Sequence, residues 1–321
     1  MTGPGPVVGI DIGGTKILGV AFDVANERGS APIQVSTPLD PVQLVARVQD
    51  VVEQVAAQVG PIAGVGLGMP GLVDRSGVLR YGPNLPGVVD LDLAAPVRQR
   101  FGVPVLADND ANCAALAEHR LGAARGVDHA IVITQGTGIG GGIIVDGRLL
   151  RGAHGFAGEP GHMVVDRSGP RCACGGIGHW EAVASGTGLA NLARELVGEG
   201  RGAGLLARAG GDPRALRGEH VSAGVDAGDP DAVEILHRFA RWVATGLAGL
   251  VSLFDPEVIV LGGGLSAISE DFLDEVRAAL PAVVFAWDHR PPVTVVPAAL
   301  GPEAGAIGAA VAVANSLGPE G

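Results

Sequence analysis

The sequence predicts an α/β fold built from two similar domains, and three observations lead to this prediction. A chain of 321 residues is long for a single domain with one hydrophobic core and long enough for two domains. Short apolar runs of strand length alternate with longer segments whose apolar residues recur at helical spacing. The pattern of apolar run, glycine-rich turn and second apolar run occurs twice, near residue 11 and near residue 137. This internal repeat favours two domains of similar plan that face a cleft.

The N-terminal part of the chain begins with a predicted hairpin. Two apolar runs flank a glycine turn, which is a usual signal for paired antiparallel strands. A helix follows, in which valines and alanines recur at helical spacing, and a later strand leads directly into a second helix. The predicted elements are strands at 7–13, 17–24, 63–71 and 103–110, and helices at 41–59 and 111–122.

The C-terminal part begins with a second predicted hairpin and then changes character. An irregular segment rich in Gly, His, Cys and acidic residues precedes a mostly helical region. The predicted elements are the hairpin at 130–150, the irregular segment at 151–185, a helix at 229–254, a strand and glycine turn at 256–266, a helix at 268–280, and a tail at 297–317 that ends in a helix of small residues. We expect a smaller domain of residues 1–115 and 300–321 and a larger domain of residues 116–299.

The composition argues against several classes of protein. The net charge of −12 disfavours binding to nucleic acid or to an anionic membrane surface. The longest apolar stretch, near 239–254, is shorter than the roughly 18–20 residues that a membrane span needs. The three cysteines are too few for a disulfide framework, and the N-terminus lacks the charged region and cleavage site of a signal peptide. We therefore expect a cytoplasmic, soluble protein with no nucleic-acid or membrane partner.

The first glycine turn, Asp11–Lys16, has the composition of a phosphate-binding turn. Gly13 and Gly14 let the backbone approach phosphate oxygens, and Thr15 adds a hydroxyl donor. An aspartate at a strand end can hold Mg²⁺ through water. The turn is not a P-loop, because Thr15 stands where a lysine is required and a strand follows instead of a helix. An ordinary hairpin turn would have a similar composition.

The second glycine turn, residues 134–141, satisfies the pattern G-x-G-x-x-G. A strand follows it, whereas a dinucleotide-binding turn is followed by a helix. The pattern therefore indicates either a second phosphate-binding hairpin or another tight turn. Two such hairpins in one chain favour the phosphate-binding interpretation.

Asn109 and Asp110 stand where a predicted strand ends and a predicted helix begins. Open α/β sheets bind ligands at such strand ends, so the Asp110 carboxylate could accept the proton of an attacking hydroxyl group. Asp108, Asn109 and Asp110 are also all favourable helix N-cap residues. From the residues alone, the capping role is the more favoured of the two.

A dense group of histidines and cysteines follows the second hairpin. His162, Cys172, Cys174 and His179 lie within 20 residues of one another, with glycine turns between them. Two thiolates and two imidazoles suit tetrahedral zinc. The alternative is a reduced loop with scattered histidines, in which exposed thiols would be prone to oxidation. The residue types favour the metal site.

Taken together, these motifs resemble those of the ROK family, a group of sugar kinases, repressors and related open reading frames. The resemblance covers nearly the whole chain and is carried by five motifs in the family's order: DIGGTK (11–16), ADNDAN (107–112), GTGIGGG (136–142), GAHGFAGEPGHM (152–163) and CACGGIGHWE (172–181). Within the family, the chain is most similar to bacterial glucokinases. The resemblance implies the two-domain, ribonuclease H-like fold of actin, Hsp70 and hexokinase, with the sugar in a central cleft.

The resemblance also implies an active site. Asp110 is expected to be the general base. The expected sugar ligands are Asn84, Asn109, Asp110, Glu159, His162 and Glu181. The expected ligands of ATP and Mg²⁺ are Asp11, Gly13, Gly14, Thr15, Lys16, Thr134, Gly136, Thr137, Gly138, Gly263 and Gly264.

The family's zinc site has one histidine and three cysteines, and this chain departs from it. His162, Cys172 and Cys174 match, but His179 occupies the position of the third cysteine. Because imidazole is a competent zinc ligand, we expect a structural Zn²⁺ held by two cysteines and two histidines. A second departure is Pro160, at a position where the family usually has Ile or Leu.

The expected reaction is ATP-dependent phosphorylation of glucose to glucose 6-phosphate, by a homodimer or homotetramer. The alternatives are another hexose or N-acetylhexosamine as substrate (N-acetylglucosamine, N-acetylmannosamine, fructose or allose), a sugar-sensing repressor or other non-catalytic sugar-binding protein, or a nicotinamide-dependent oxidoreductase. The predicted strand begins too early for a preceding DNA-binding helix pair, which argues against a repressor. The glycine turn at 262–267 lacks the acidic partner of a dinucleotide fold, which argues against an oxidoreductase.

Overall fold

A computed structural model describes residues 5–83, 85, 88–264 and 270–317. The strands are β1 (Val7–Ile12), β2 (Lys16–Asp23), β3 (Arg28–Gly29), β4 (Ile33–Ser36), β5 (Val65–Met69), β6 (Leu72–Val73), β7 (Leu79–Tyr81), β8 (Val89–Leu91), β9 (Val105–Asn109), β10 (Ala130–Gln135), β11 (Ile139–Val145), β12 (Arg148–Leu149), β13 (Val258–Gly262) and β14 (Thr294–Pro297). The helices are α1 (Pro41–Val59), α2 (Ala94–Phe101), α3 (Asp110–Leu121), α4 (Trp180–Ala184), α5 (Gly186–Gly198), α6 (Ala203–Arg208), α7 (Gly218–Asp226), α8 (Pro230–Phe254), α9 (Glu270–Val283) and α10 (Ala304–Ser316).

The chain divides into two compact units. Unit 1 comprises residues 1–132, 141–158 and 298–321, and unit 2 comprises residues 133–140 and 159–297. The chain passes from one unit to the other within β10 and within β11. Unit 1 extends further along the chain than the smaller domain expected at 1–115 and 300–321, and that domain assignment stays a prediction.

The main sheet of unit 1 has the order β3-β2-β1-β5-β9, and β4 also pairs with β2. The pair β1–β2 is antiparallel, which confirms the predicted N-terminal hairpin, whereas β1, β5 and β9 are parallel. The carboxyl ends of β1, β5 and β9 therefore lie at the same edge of the sheet. The helix predicted at 41–59 is α1, capped by the Asp40 side chain, which accepts a hydrogen bond from the Gln43 N–H.

Helix α10 packs on the main sheet of unit 1 through glycines. A Cβ atom on Gly9 would lie 1.8 Å from the carbonyl oxygen of Ala306, and one on Gly66 would lie 1.8 Å from that of Ala309. A Cβ on Gly308, within α10, would lie 1.6 Å from the carbonyl oxygen of Cys113 in α3. The small residues of the tail thus allow the backbones of α10, α3 and the sheet to approach closely. The rest of the core on this face is apolar, with Val20 and Val311 each 1% exposed.

A second sheet has the order β12-β11-β10-β13-β14, and it includes the second predicted hairpin. Among the helices described in unit 2, α8 has the most buried residues, and its predicted bounds of 229–254 are confirmed to within one residue. The indole of Trp180, at the start of α4, is fully buried and donates a hydrogen bond of 2.8 Å to the carbonyl oxygen of Trp242 in α8. Gly246 leaves room for this indole, since a Cβ there would lie 2.0 Å from a ring carbon.

The three-stranded sheet β6-β7-β8 was not predicted, because its strands have only two or three residues each. The predicted strand at 256–266 is β13 up to Gly262, and the predicted helix at 268–280 is α9. No helix in the part of the chain that the structure describes combines the length and apolar character needed to cross a membrane.

Candidate active site

In unit 1, three parallel strands bring two carboxylates to one edge of the sheet. The register pairs Asp11 of β1 with Gly68 of β5, and Gly68 with Asp108 of β9. Asp11 and Asp108 thus share one row, about 10 Å apart across two strand spacings. Gly68 stands between them, and a Cβ on it would lie 3.5 Å from the Cα of Asp110. Gly68 therefore packs directly against the start of α3.

The first glycine turn joins β1 to β2 and is held by hydrogen bonds. The N–H of Gly13 donates to the carbonyl oxygen of Lys16 at 2.8 Å, and the Thr37 hydroxyl donates to the carbonyl oxygen of Gly13 at 2.7 Å. The N–H of Thr37 also donates to the carbonyl oxygen of Thr15, at 3.1 Å. Thr15 and Lys16 are exposed. The turn is therefore fixed from one side and accessible from the other.

Asp11 is half-buried beside this turn, and burial raises the pKa of its carboxyl to about 6, opposed by the positive charge of Lys16. Gly305, in the first turn of α10, faces the carboxyl group, since a Cβ there would lie 2.8 Å from Cγ of Asp11. The N–H dipoles at that helix end favour the ionised form. A partly desolvated carboxylate at a strand end has the chemistry to hold a hydrated divalent cation.

Asn109 is the N-cap of α3. Its Oδ1 accepts hydrogen bonds from the N–H groups of Ala111 and Asn112, at 2.9 and 3.0 Å, and its Nδ2 donates to the carbonyl oxygen of Gly71 at 3.1 Å. Asp110 is the first residue of the helix, and its Oδ1 accepts from the N–H of Ala111 at 2.8 Å. The cap is thus provided by Asn109, and the Asp110 carboxylate lies at the positive end of α3.

Asp108 and Arg151 form a contact beside this helix end that the sequence did not reveal. Arg151 Nε donates to Asp108 Oδ2 at 2.8 Å. Asp108 Oδ1 accepts from the N–H of Asn109 and from Asn112 Nδ2, at 2.8 and 2.9 Å. The Asp108 side chain is only 13% exposed, so this network supports the β9–α3 junction from within unit 1. The two partners are 43 residues apart, and no local pattern predicts the pairing.

The buried thiol of Cys113 lies among these acidic groups. Burial raises its pKa well above the usual value, and the negative charges of Asp108, Asp11 and Asp110 raise it further. Cys113 therefore stays protonated and packs as an apolar side chain in α3. Its surroundings show that the three carboxylates converge on one region of unit 1.

In unit 2, the second glycine turn is closed by a hydrogen bond of 3.0 Å from the N–H of Gly136 to the carbonyl oxygen of Gly138. Glu181 of α4 supports it, since its Oε2 accepts a hydrogen bond of 3.0 Å from the N–H of Ile139. Gly263, which follows β13, lies against β10, because a Cβ on it would be 2.3 Å from the carbonyl oxygen of Gln135. Its φ of +89° also favours glycine.

His162, Cys172, Cys174 and His179 come together in unit 2. Each offers one ligand atom, and these four atoms all lie within 4.8 Å of one another. Tetrahedral zinc with bonds of about 2.0–2.3 Å requires ligand separations of about 3.3–3.8 Å, so the four atoms fit after a small contraction. Cys174 Sγ is already 3.2 Å from Nδ1 of His179. His162 Nδ1 is buried and has no hydrogen-bond partner within the described ranges, which also fits a metal ligand.

The expected sugar-binding carboxylates of unit 2 lie on either side of the metal ligands along the chain, Glu159 in the irregular segment and Glu181 in α4. Glu159 precedes the short helical turn Pro160–His162, and burial raises the pKa of its carboxyl, opposed by His162. Glu181 Oε1 accepts a hydrogen bond of 3.2 Å from the Cys172 thiol. Glu181 therefore contacts both the metal cluster and the second glycine turn. This double contact was missed, because the sequence gives no signal for a bond between Glu181 and a backbone N–H 42 residues earlier.

The expected site residues fall into two sets. Unit 1 holds Asp11, Gly13, Gly14, Thr15, Lys16, Asn109 and Asp110. Unit 2 holds Thr134, Gly136, Thr137, Gly138, Glu159, His162, Cys172, Cys174, His179, Glu181, Gly263 and Gly264. Asn84 lies outside the described residues, as do residues 265–269, which include the end of the glycine turn at 262–267.

Comparison with known proteins agrees with the fold and with the motifs. The pattern of the ROK family matches residues 7–316. A glucokinase of Streptomyces coelicolor is 39% identical over 312 residues, which cover 95% of this chain and 96% of the relative. A glucokinase of Thermotoga maritima is 32% identical over 324 residues, which cover 97% and 98%.

Among solved structures, a ROK family glucokinase from Streptomyces griseus in complex with glucose and AMPPNP superposes with a TM-score of 0.86. It is 38% identical in sequence, and the match covers 99% of this chain and 100% of that one. The predicted fold class is confirmed by this similarity. The chain belongs to the ROK family.

Proposed function

We propose that this protein is a kinase that transfers the γ-phosphoryl group of ATP to the 6-hydroxyl group of glucose. The observation that carries the proposal is the Asp110 carboxylate, which begins α3 at the edge where β1, β5 and β9 end. The similar glucokinases, one of them solved with glucose and AMPPNP, support ATP as donor and glucose as acceptor.

Asp110 acts as the general base in this proposal. Its carboxylate stands at the start of α3, where it can accept the proton of the attacking hydroxyl group. Asn109 and Asp108 fix the helix end on which Asp110 stands. Because phosphoryl transfer requires an in-line approach, a rigid support for the base contributes directly to catalysis.

The two glycine turns bind the phosphates of ATP. Residues 13–16 in unit 1 and residues 134–138 in unit 2 offer backbone N–H groups and hydroxyls without bulky side chains. Gly263 and Gly264 contact the adenosine. Asp11 would hold a hydrated Mg²⁺ ion, which would supply positive charge beside the transferring phosphoryl group.

The sugar is held by polar side chains around Asp110 and on the irregular loop. We assign this role to Asn84, Asn109, Glu159, His162 and Glu181. The Nδ2 of Asn109 already donates to Gly71, so its second N–H is the one available for a sugar hydroxyl. Closely related hexoses differ by one substituent, and an epimer that leaves one of these half-buried carboxylates unpaired would bind less tightly.

Zinc has a structural role in this proposal, held by His162, Cys172, Cys174 and His179. Four protein ligands leave no open position for catalysis, so zinc here would fix the loop between Glu159 and Glu181. Metal analysis should find about one zinc per chain, lost in Cys174→Ala and retained in His179→Cys, which restores the family's ligand set. Protein that is folded and free of stoichiometric zinc would contradict the assignment.

We further propose that the protein works in the cytoplasm as a homodimer or homotetramer. The direct test of the proposed reaction is a coupled ADP-release assay with ATP and Mg²⁺ against a panel of hexoses and N-acetylhexosamines. Turnover on glucose with the highest kcat/KM supports the proposal. A higher kcat/KM on another sugar would identify that sugar as the preferred substrate instead of glucose. No turnover on any sugar would refute the proposal that the protein is a sugar kinase.

A further inference from the structure

The support of the second glycine turn in unit 2 is concentrated in one short segment. This segment, residues 181–187, spans the end of α4 and the start of α5, and we call it the α4–α5 junction. Four hydrogen bonds join it to residues 135–139, and all of these residues belong to unit 2. Within the turn, the N–H of Gly136 donates to the carbonyl oxygen of Gly138.

The four bonds reach the turn at nearly every residue. Gln135 Nε2 donates to the carbonyl oxygen of Ala184 at 2.9 Å, and the N–H of Gly186 donates to the carbonyl oxygen of Gly136 at 2.8 Å. The Thr187 hydroxyl donates to the carbonyl oxygen of Thr137 at 2.9 Å. The N–H of Ile139 donates to Glu181 Oε2 at 3.0 Å.

Gly138 lies directly against the junction. A Cβ on Gly138 would lie 2.3 Å from Glu181 Oε2, so the backbone already touches this carboxylate. The junction therefore fixes the directions of the carbonyl groups of Gly136 and Thr137. Because each peptide unit is planar, fixing a carbonyl group also fixes the following N–H group. Those N–H groups are the donors that a phosphate would accept from.

We propose that Thr187 is a positioning residue for nucleotide binding, acting through the carbonyl oxygen of Thr137 with Glu181 as the second support of the turn. This inference rests on the proposed binding of ATP phosphates by residues 134–138. Thr187 is exposed and contributes little to the core, so a substitution that removes its hydroxyl should leave the fold intact. The energetic role of that hydroxyl is to order the turn before the nucleotide arrives.

The test compares Thr187→Val with Thr187→Ser. Valine removes the donor and keeps the shape, whereas serine keeps the donor. Isothermal titration with Mg²⁺ and AMPPNP should give a dissociation constant about fivefold higher for Thr187→Val, the equivalent of one net hydrogen bond, and a nearly unchanged value for Thr187→Ser. In steady-state assays, KM for ATP should rise while KM for glucose stays the same.

A matched control is Thr245→Val in α8, which removes a hydroxyl that donates to the carbonyl oxygen of Arg241 at 2.8 Å. Its nucleotide affinity should equal that of the unaltered protein. Amide hydrogen exchange without nucleotide gives a second readout, since residues 136–139 should exchange faster in Thr187→Val than in Thr187→Ser. Faster exchange in Thr187→Val would show that the Thr187 hydroxyl orders the turn, whether or not AMPPNP binds. Failure of AMPPNP to bind the unaltered protein would instead count against the kinase proposal. Unchanged exchange and unchanged affinity in Thr187→Val would overturn the inference.

Discussion

Replacing Asp11 with Asn should stabilise the protein at neutral pH while weakening nucleotide binding. The pKa of this carboxyl is raised by burial to about 6, from an ordinary value of 3.8. At about 1.4 kcal/mol for each pH unit, the difference corresponds to about 3 kcal/mol of unfavourable free energy in the ionised form. The side chain is only half-buried, and the first turn of α10 faces it, so about 3 kcal/mol is an upper limit.

The pH dependence has a definite sign. Between about pH 4 and pH 6 the unfolded chain loses the Asp11 proton before the folded chain does, so the free energy of unfolding falls as the pH rises. Asparagine has no such charge. Above pH 6, the free energy of unfolding of Asp11→Asn should therefore exceed that of the unaltered protein by up to about 3 kcal/mol. Near pH 4, the two free energies of unfolding should be equal.

The assay is thermal unfolding from pH 4 to pH 8 without Mg²⁺ or nucleotide, where each kcal/mol shifts the midpoint by about 2–4 °C. Asp23→Asn is the matched control, because the pKa of Asp23 is lowered by hydrogen bonds from Asn26 and the carboxylate is exposed. That control should show no stabilisation at pH 8. Two results would refute the reasoning. The first is an unfolding midpoint at pH 8 that is the same for Asp11→Asn and the unaltered protein. The second is an increase in midpoint that is as large at pH 4 as at pH 8.

Two further predictions concern packing and buried charge in unit 1. Gly66→Ala should lower stability by about 1–3 kcal/mol, because the new Cβ would lie 1.8 Å from the carbonyl oxygen of Ala309. The control Gly198→Ala, in α5, meets no atom within 4 Å and should not lower the midpoint in the same thermal scan. Glu118→Gln should also lower the midpoint, by the equivalent of about 1–3 kcal/mol, because the fully buried carboxylate accepts three backbone N–H groups, including that of Leu300, and an amide has only one oxygen to accept them. An unchanged midpoint in either variant would contradict the corresponding contact.

The sequence alone located the local features of the active site well. The glycine turn after β1 and the helix after β9 follow from local patterns of at most twelve residues, and both appear within one or two residues of the predicted bounds. The metal cluster was also predictable, because four residues of suitable chemistry lie close together along the chain. Capping rules named Asn109 among three candidates, and only its hydrogen bonds to Ala111 and Asn112 identified it.

The remaining features depend on contacts between distant parts of the chain. The Arg151–Asp108 pair and the Glu181–Ile139 bond join residues 43 and 42 positions apart, and neither has a local signature. Glu118 is a similar case, because its carboxylate accepts hydrogen bonds from the N–H groups of Ala299 and Leu300, more than 180 residues away in the sequence. A single sequence offers periodicity and composition, and these properties do not specify which distant side chains meet.

The central claim is that Asp110 is the base that removes the proton of the sugar hydroxyl. Asp110→Asn keeps the size of the side chain and an oxygen that can accept the N–H of Ala111. Glucose binding, measured by isothermal titration, should stay within about threefold of the unaltered protein, while kcat in the ADP-release assay should fall by a factor of about 10²–10⁴. A variant that binds glucose and retains kcat within a few-fold of the unaltered protein would contradict the assignment of Asp110 as the base.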